Sequence, residues 1–139
     1  MQALEIFNFL DEEGRDLVER DLHAIDAIKG GGKKDAARLR TAIRSWERNG
    51  FAANQPIDFR RILDKRFGDG RMWEARFEKT SRSDGVHGYR FFYIRIRETQ
   101  VVLVKVWGKA GSHTPDEVLR EAWWRCQVAL AQDRGGEGP

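Results

Sequence analysis

Val101-Val102-Leu103-Val104-Lys105-Val106-Trp107-Gly108-Lys109-Ala110-Gly111-Ser112-His113-Thr114-Pro115 is the stretch on which the reading of this chain turns. Val102, Val104 and Val106 alternate with Lys105, Trp107 and Lys109, the period-two pattern of a strand with one covered and one open face. The open face carries ammonium groups and an indole, which are costly to bury and suited to gripping a phosphate-bearing polymer. Gly108 and Gly111 break the strand. Thr114-Pro115 then starts a helix, with Thr114 as N-cap and Pro115 in the first turn.

Upstream, Tyr89 to Arg97 reads as a strand joined to this one by the tight connection Glu98-Thr99-Gln100. Before it, Asp69-Gly70 makes a turn into another strand, in which Trp73, Ala75 and Phe77 face one way and Glu74 and Arg76 the other. The three strands from Met72 to Trp107 are expected to form an antiparallel meander. Downstream, Pro115 to Gln132 is predicted as a helix with Leu119, Ala122, Trp123, Cys126 and Leu130 on its apolar stripe. Trp123 and Trp124 cannot both face the sheet, which leaves one for a partner chain.

The first half is helical in pattern. Leu4 to Leu10 is rich in β-favouring residues and ends in the turn signal Asp11-Glu12-Glu13-Gly14. Val18, Leu22, Ile25 and Ile28 define one face of a helix from about Asp16 to Ile28. Leu39, Ile43 and Trp46 do the same for Lys34 to Asn49, with Gly50 as its stop. Between the two, Gly30-Gly31-Gly32-Lys33-Lys34 lacks the glycine spacing and the Lys-Ser/Thr ending of a phosphate loop, and reads as a connector. Asp58 to Leu63 is expected to be a short helical turn. The fold class is α+β: two N-terminal helices on an antiparallel sheet of about four strands, plus a C-terminal helix. One domain spans 1–132, and 133–139 is a polar, Gly-rich tail.

Composition narrows the function. The 139 residues carry a net charge of only +3, but its distribution is uneven. Met1 to Gly32 holds 3 basic and 8 acidic residues, whereas Arg60 to Lys109 holds 13 basic and 6 acidic. A basic half favours an anionic partner on one surface. The single cysteine, Cys126, excludes an internal disulfide and a cysteine-rich zinc site, and its place on an apolar helix face reads as a buried thiol. His23 has no partner at metal-binding spacing. No cofactor or metal is expected. No apolar run reaches membrane-spanning length and no basic-then-apolar leader opens the chain, so a cytoplasmic protein without membrane contact is expected.

The order of these motifs resembles the RelE/HigB toxins, in particular the phage-derived HigB-like branch of the RelE/ParE superfamily. The resemblance rests on the apolar strand Val101-Val102-Leu103-Val104, Trp107, Lys109 and the Thr114-Pro115 helix start. It extends to Tyr89-Arg90 at the opening of the preceding strand, to Trp73-Glu74 with Arg76, and to the first strand running into an acidic turn. Ala110 stands where the family usually has a second lysine, and His113 where a lysine is also common. The resemblance implies a toxin of a toxin–antitoxin pair: an mRNA interferase cleaving mRNA at the ribosome, whose partner is an antitoxin of helix-turn-helix type.

Such cleavage proceeds by attack of the 2′-hydroxyl on the adjacent phosphate and needs no metal, only an acid, a base and positive charge on the phosphorane. Arginine suits that last task because its fork bonds two oxygens and stays charged. The resemblance puts Arg90 at the position linked to transition-state stabilisation, with Arg76 and Lys109 as further catalytic cations. His113, with a pKa near neutrality, is the favoured general acid; His87, Glu74 and Tyr93 are the other acid–base candidates. Lys105, Trp107, Tyr93 and Arg95 are the candidate RNA-binding residues. Two rivals stay open: a ParE-like inhibitor of DNA gyrase without nuclease activity, and a catalytically degenerate member that only binds RNA or a partner.

Overall fold

Alternating side chains on five short strands build one mixed sheet, described in a computed structural model that covers residues 3–52, 57–78, 88–109 and 113–136, of which 134–136 are described as backbone alone. In chain order the elements are β1 (Glu5–Asn8), α1 (Leu17–Asp26), α2 (Gly32–Asn49), β2 (Asp58–Arg61), β3 (Met72–Glu78), β4 (Gly88–Arg97), β5 (Gln100–Lys109) and α3 (Asp116–Gly136). The strands lie in the order β1-β5-β4-β3-β2. β1 runs parallel to β5, and every other neighbouring pair is antiparallel.

The α+β class and the meander β3-β4-β5 agree with the sequence. The strand count and the purely antiparallel sheet do not. Asp58–Arg61 is the additional strand rather than a helical turn, paired with β3 from Asp58 opposite Arg76 to Arg61 opposite Trp73. Asp-Phe-Arg-Arg carries one apolar residue and no usable period, so its state is set by the distant strand beside it.

Local chemistry fixes the helix starts. Asp16 caps α1, its carboxylate accepting from Glu19 N–H at 2.8 Å and from the Asn8 amide at 3.0 Å. α3 begins at Asp116, one residue later than Thr114 as N-cap requires, with the Pro115 carbonyl accepting from Val118 and Leu119. It runs on to Gly136, past the expected end at Gln132. Among the described residues no helix is long and apolar enough to cross a membrane.

The two sides of the sheet are covered differently. Tyr89, Phe91, Tyr93, Ala75, Leu103 and Val106 share one side, by their pairing register, and meet α1 and α2. There Trp46 of α2 is fully buried, its ring centroid 4.8 Å from that of Tyr93 and 5.5 Å from that of Phe59. α3 lies on the other side against β4 and β5, with Ala122, Trp123, Cys126 and Ala129 buried and Trp124 left exposed. A Cβ on Gly68 would come within 2.5 Å of the Trp123 ring, and Gly68 has φ +94°, so only glycine lets the turn before β3 seat that indole. Burial also pushes the Cys126 thiol up to about 12.

Strict alternation along β5 is interrupted. Phe92 pairs with Lys105 but Tyr93 pairs with Leu103, so Val104 is a surplus residue and the strand bulges there. Val102 therefore lies on the face of Lys105, Trp107 and Lys109, not on that of Val106 as a simple period of two requires. β1 also stops short: its last pair is Asn8 with Leu103. Past that point side chains satisfy the bare edge of β5. Asp21 of α1 accepts the Val106 N–H at 3.0 Å, and Arg125 of α3 donates to the Val104 carbonyl at 2.9 Å.

Candidate functional site

Three cross-strand rows stack along the side of the sheet opposite α1 and α2. Arg76 lies opposite Arg90, and Arg90 opposite Trp107. Toward the strand ends, Glu78 lies opposite Gly88 and Gly88 opposite Lys109. In the other direction the row is Glu74, Phe92 and Lys105. α3 is fastened over this last row, where Glu121 accepts from Lys105 Nζ at 3.2 Å. The other two rows hold the cations Arg76, Arg90 and Lys109 with one indole, Trp107, among them.

Each cation has its own surroundings. Arg90 is 4% exposed. Its Nη1 donates to the Tyr89 carbonyl at 3.1 Å and lies 3.0 Å from the exposed Glu78 carboxylate, while its buried Nε has no partner among the described residues. The half-buried Arg76 donates through Nε to Glu74 at 2.7 Å. Lys109 is depressed below the ordinary lysine range, first by desolvation and then by repulsion from Arg90 and Arg76; Glu74 and Glu78 act in the opposite direction. That balance of two guanidinium groups against two carboxylates places all five side chains within one electrostatic neighbourhood.

Gly88 makes the pairing possible. A Cβ there would stand 2.8 Å from Glu78 Oε2, 2.9 Å from the Phe77 carbonyl and 3.3 Å from Arg90 Nη1. From behind, the opening of β4 is tied to α2, because the buried Tyr89 hydroxyl donates to Asp35 at 2.7 Å.

Of the residues singled out in the sequence, Arg76, Arg90, Trp107 and Lys109 come together. Glu74 joins them but is held by Arg76. Lys105 is on the same face, yet it is 9% exposed beneath α3 and paired with Glu121, so it belongs to the packing rather than to an accessible surface. Tyr93 is 1% exposed on the opposite side, and Arg95 shares that side, its guanidinium 4.8 Å from the Phe51 ring centroid. Neither can act on the same surface as Arg90. Both stand at odd spacing from Arg90 along the regular β4, so simple alternation already puts them on the other side.

His113 is exposed on the segment leading into α3, separated in sequence from Lys109 by 110–112, which are outside the described residues, as is His87. No hydrogen bond or ion pair ties His113 to the row among the described residues. Sequence reasoning missed Glu78 and Gly88; Glu78 continues the Glu74, Arg76 alternation and was readable from it. No group of His, Cys, Asp and Glu side chains fit to hold a metal ion occurs among the described residues. Comparison with protein-family models and with curated proteins finds no match for this chain.

Proposed function

We propose that the chain is a RelE/HigB-like toxin that cleaves mRNA at the ribosome, held in check by an antitoxin of helix-turn-helix type. The observation that carries this reading is the direct row Arg76–Arg90–Trp107, with Lys109 on the adjoining row. Guanidinium groups opposite one another can engage neighbouring phosphate oxygens, and an indole beside them offers a stacking face for a base.

In the proposed reaction the 2′-oxygen attacks phosphorus, and the bond to the 5′-oxygen of the next nucleotide breaks. A base removes the 2′-proton and an acid supplies one to the leaving oxygen, giving a cyclic phosphate and a free 5′-hydroxyl. Arg90 and Arg76 neutralise charge on the phosphorane, and Lys109 adds a cation whose proton is held less firmly than that of an ordinary lysine. His113 is retained as the candidate acid on chemical grounds.

Expression in cells followed by primer extension on transcripts, with and without translation, tests the proposal. Cuts inside translated codons that vanish in folded Arg90→Ala are expected. Full toxicity of Arg90→Ala overturns it, and DNA-damage signalling with intact messages points instead to gyrase. The burial of Arg90 and its ion pair with Glu78 support a second reading, an RNA-binding protein that does not cleave. Saturable RNA binding with intact RNA would identify it.

A further inference from the structure

A second feature lies on the far side of the sheet, where α1 and α2 leave the β2 edge uncovered. A cavity of about 500 Å³ opens there, lined by Phe51, Ile57, Phe59, Trp73 and Tyr93, with Asp58 and Arg95 as its charged lining residues. That size falls in the range of small-molecule sites, which runs from about 300 to 1,000 Å³. The Tyr93 ring is flanked by nearly parallel rings, Trp73 at 6.4 Å and 26° and Phe51 at 6.1 Å and 29°.

Of the polar groups of this wall, Arg95 donates through Nε to the Glu98 carbonyl at 2.9 Å and Asp58 accepts from Arg60, which leaves the Tyr93 phenol. Tyr93 is 1% exposed, and its hydroxyl makes no hydrogen bond to any described residue. Burial pushes the phenol up, so at neutral pH it remains a donor in want of an acceptor. In the same aromatic cluster, Trp46 Nε1 is buried without a partner. Trp46 does not line the cavity, whereas the Tyr93 phenol does, so the phenol is the donor a ligand there can meet.

The charges around the cavity are mainly cationic. The exposed Arg95 guanidinium lies over Phe51, and Arg61 lies over Trp73 with its Cζ 4.7 Å from the ring centroid. Asp58, the acidic group at the cavity, is already paired with Arg60 at 2.9 Å. Flat aromatic walls, a phenol donor and a guanidinium together fit a planar heteroaromatic ring that carries an anionic group.

We propose that this cavity is a nucleotide pocket, taking the base between Trp73, Phe51 and Phe59 against Tyr93 and the phosphate on Arg95. The ligand is a free nucleotide or one nucleotide of a single strand, since both present the same chemistry. The pocket does not depend on the cleavage proposed above, because Tyr93 and Arg90 lie on opposite sides of the sheet.

Titration calorimetry and tryptophan fluorescence on the full chain test this, with the ribonucleoside 5′-monophosphates, with oligo(A) and oligo(U), and with inorganic phosphate as control. Saturable binding of a monophosphate or an oligomer, but not of phosphate alone, is expected. Tyr93→Phe should weaken it about fivefold to tenfold, the worth of one hydrogen bond. It should leave the melting temperature unchanged, since the hydroxyl removed bonds to nothing. Arg95→Ala should weaken binding and flatten its salt dependence. Arg15→Ala, an exposed cation near the opposite, β1 edge of the sheet, should bind as the wild type does. Monophosphate binding assigns the pocket to free nucleotides, and oligomer binding alone assigns it to a strand. No saturable binding of either probe overturns the proposal, as does binding unchanged by Tyr93→Phe or by Arg95→Ala, or binding lost in Arg15→Ala.

Discussion

The carboxylate of Asp21 on α1 accepts the Val106 backbone N–H at 3.0 Å and also lies 3.3 Å from Arg125 Nη1 on α3. Two helices on opposite sides of the sheet therefore meet around the edge of one strand. Arg125 completes the join through the Val104 carbonyl and Glu121, which in turn holds Lys105. Side chains here replace the ladder partners that β1 is too short to supply.

Arg125→Met tests that join. Arg125 is 6% exposed, and its loss leaves the half-buried Asp21 with one fewer cation and the Val104 carbonyl without this donor. Removing one member of a buried ion pair costs about 3–5 kcal/mol. Urea unfolding should show a fall in midpoint of that order with little change in slope; a change under about 1 kcal/mol would mean the network is ornamental, as surface pairs often are.

Gly88→Ala should damage the site more than the fold. The added methyl meets Glu78 Oε2, the Phe77 carbonyl and Arg90 Nη1 at once, and two of those three can move only with the Arg90–Glu78 pair. A stability loss of about 1–3 kcal/mol is expected from overpacking. Toxicity on induction should drop sharply while circular dichroism stays native; undiminished toxicity would show that the pair's geometry is immaterial.

Lys109 reports on its neighbours. Desolvation lowers it first, and Arg90 and Arg76 lower it further. Arg90→Ala should therefore move its titration upward toward the ordinary value of 10.5, and Glu78→Gln should move it further down. Carbon-13 NMR of labelled lysine follows both shifts. A titration unmoved by either change would place Lys109 out of range of the row.

Acid lability should track Glu19. Its carboxyl is lowered, chiefly by the hydrogen bonds from Arg40, one of them 2.9 Å long. A lowered carboxyl contributes stability that is complete above its ordinary 4.5 and is lost as pH falls below it. Asp21 runs the other way: burial raises it, so its contribution declines as pH climbs above 3.8. Thermal melts between neutrality and pH 3 should fall less steeply for Glu19→Gln than for the wild type, and identical slopes would refute the assignment.

The helices were legible because each carries a local signal, an apolar stripe such as Val18, Leu22 and Ile25 or a cap such as Asp16. β3 and β4 were legible from alternation alone. Asp58–Arg61 was not, because four mostly charged residues become a strand only beside Trp73 to Arg76. Half of the site followed from parity, since Glu74, Arg76, Arg90, Trp107 and Lys109 keep strict register with one another. Tyr93 and Arg95 were readable by the same counting, since their odd spacing from Arg90 along β4 puts them on the opposite side. Lys105 was not, because its exposure depends on where α3 lands, and no residue within β5 encodes that.

The surplus residue at Val104 divides β5 into two segments with different surroundings. Toward Gln100 the strand is scaffolding, with Val101 and Leu103 buried on the side of α1 and α2. Toward Lys109 it presents chemistry. Removing that single valine would rejoin the two segments into one regular ribbon with Val102, Lys105, Trp107 and Lys109 still on one side, because the pairs on either side of it already set those faces. A one-residue deletion there should therefore be easier to tolerate than a deletion elsewhere in the same strand, which would turn every residue beyond it to the other side.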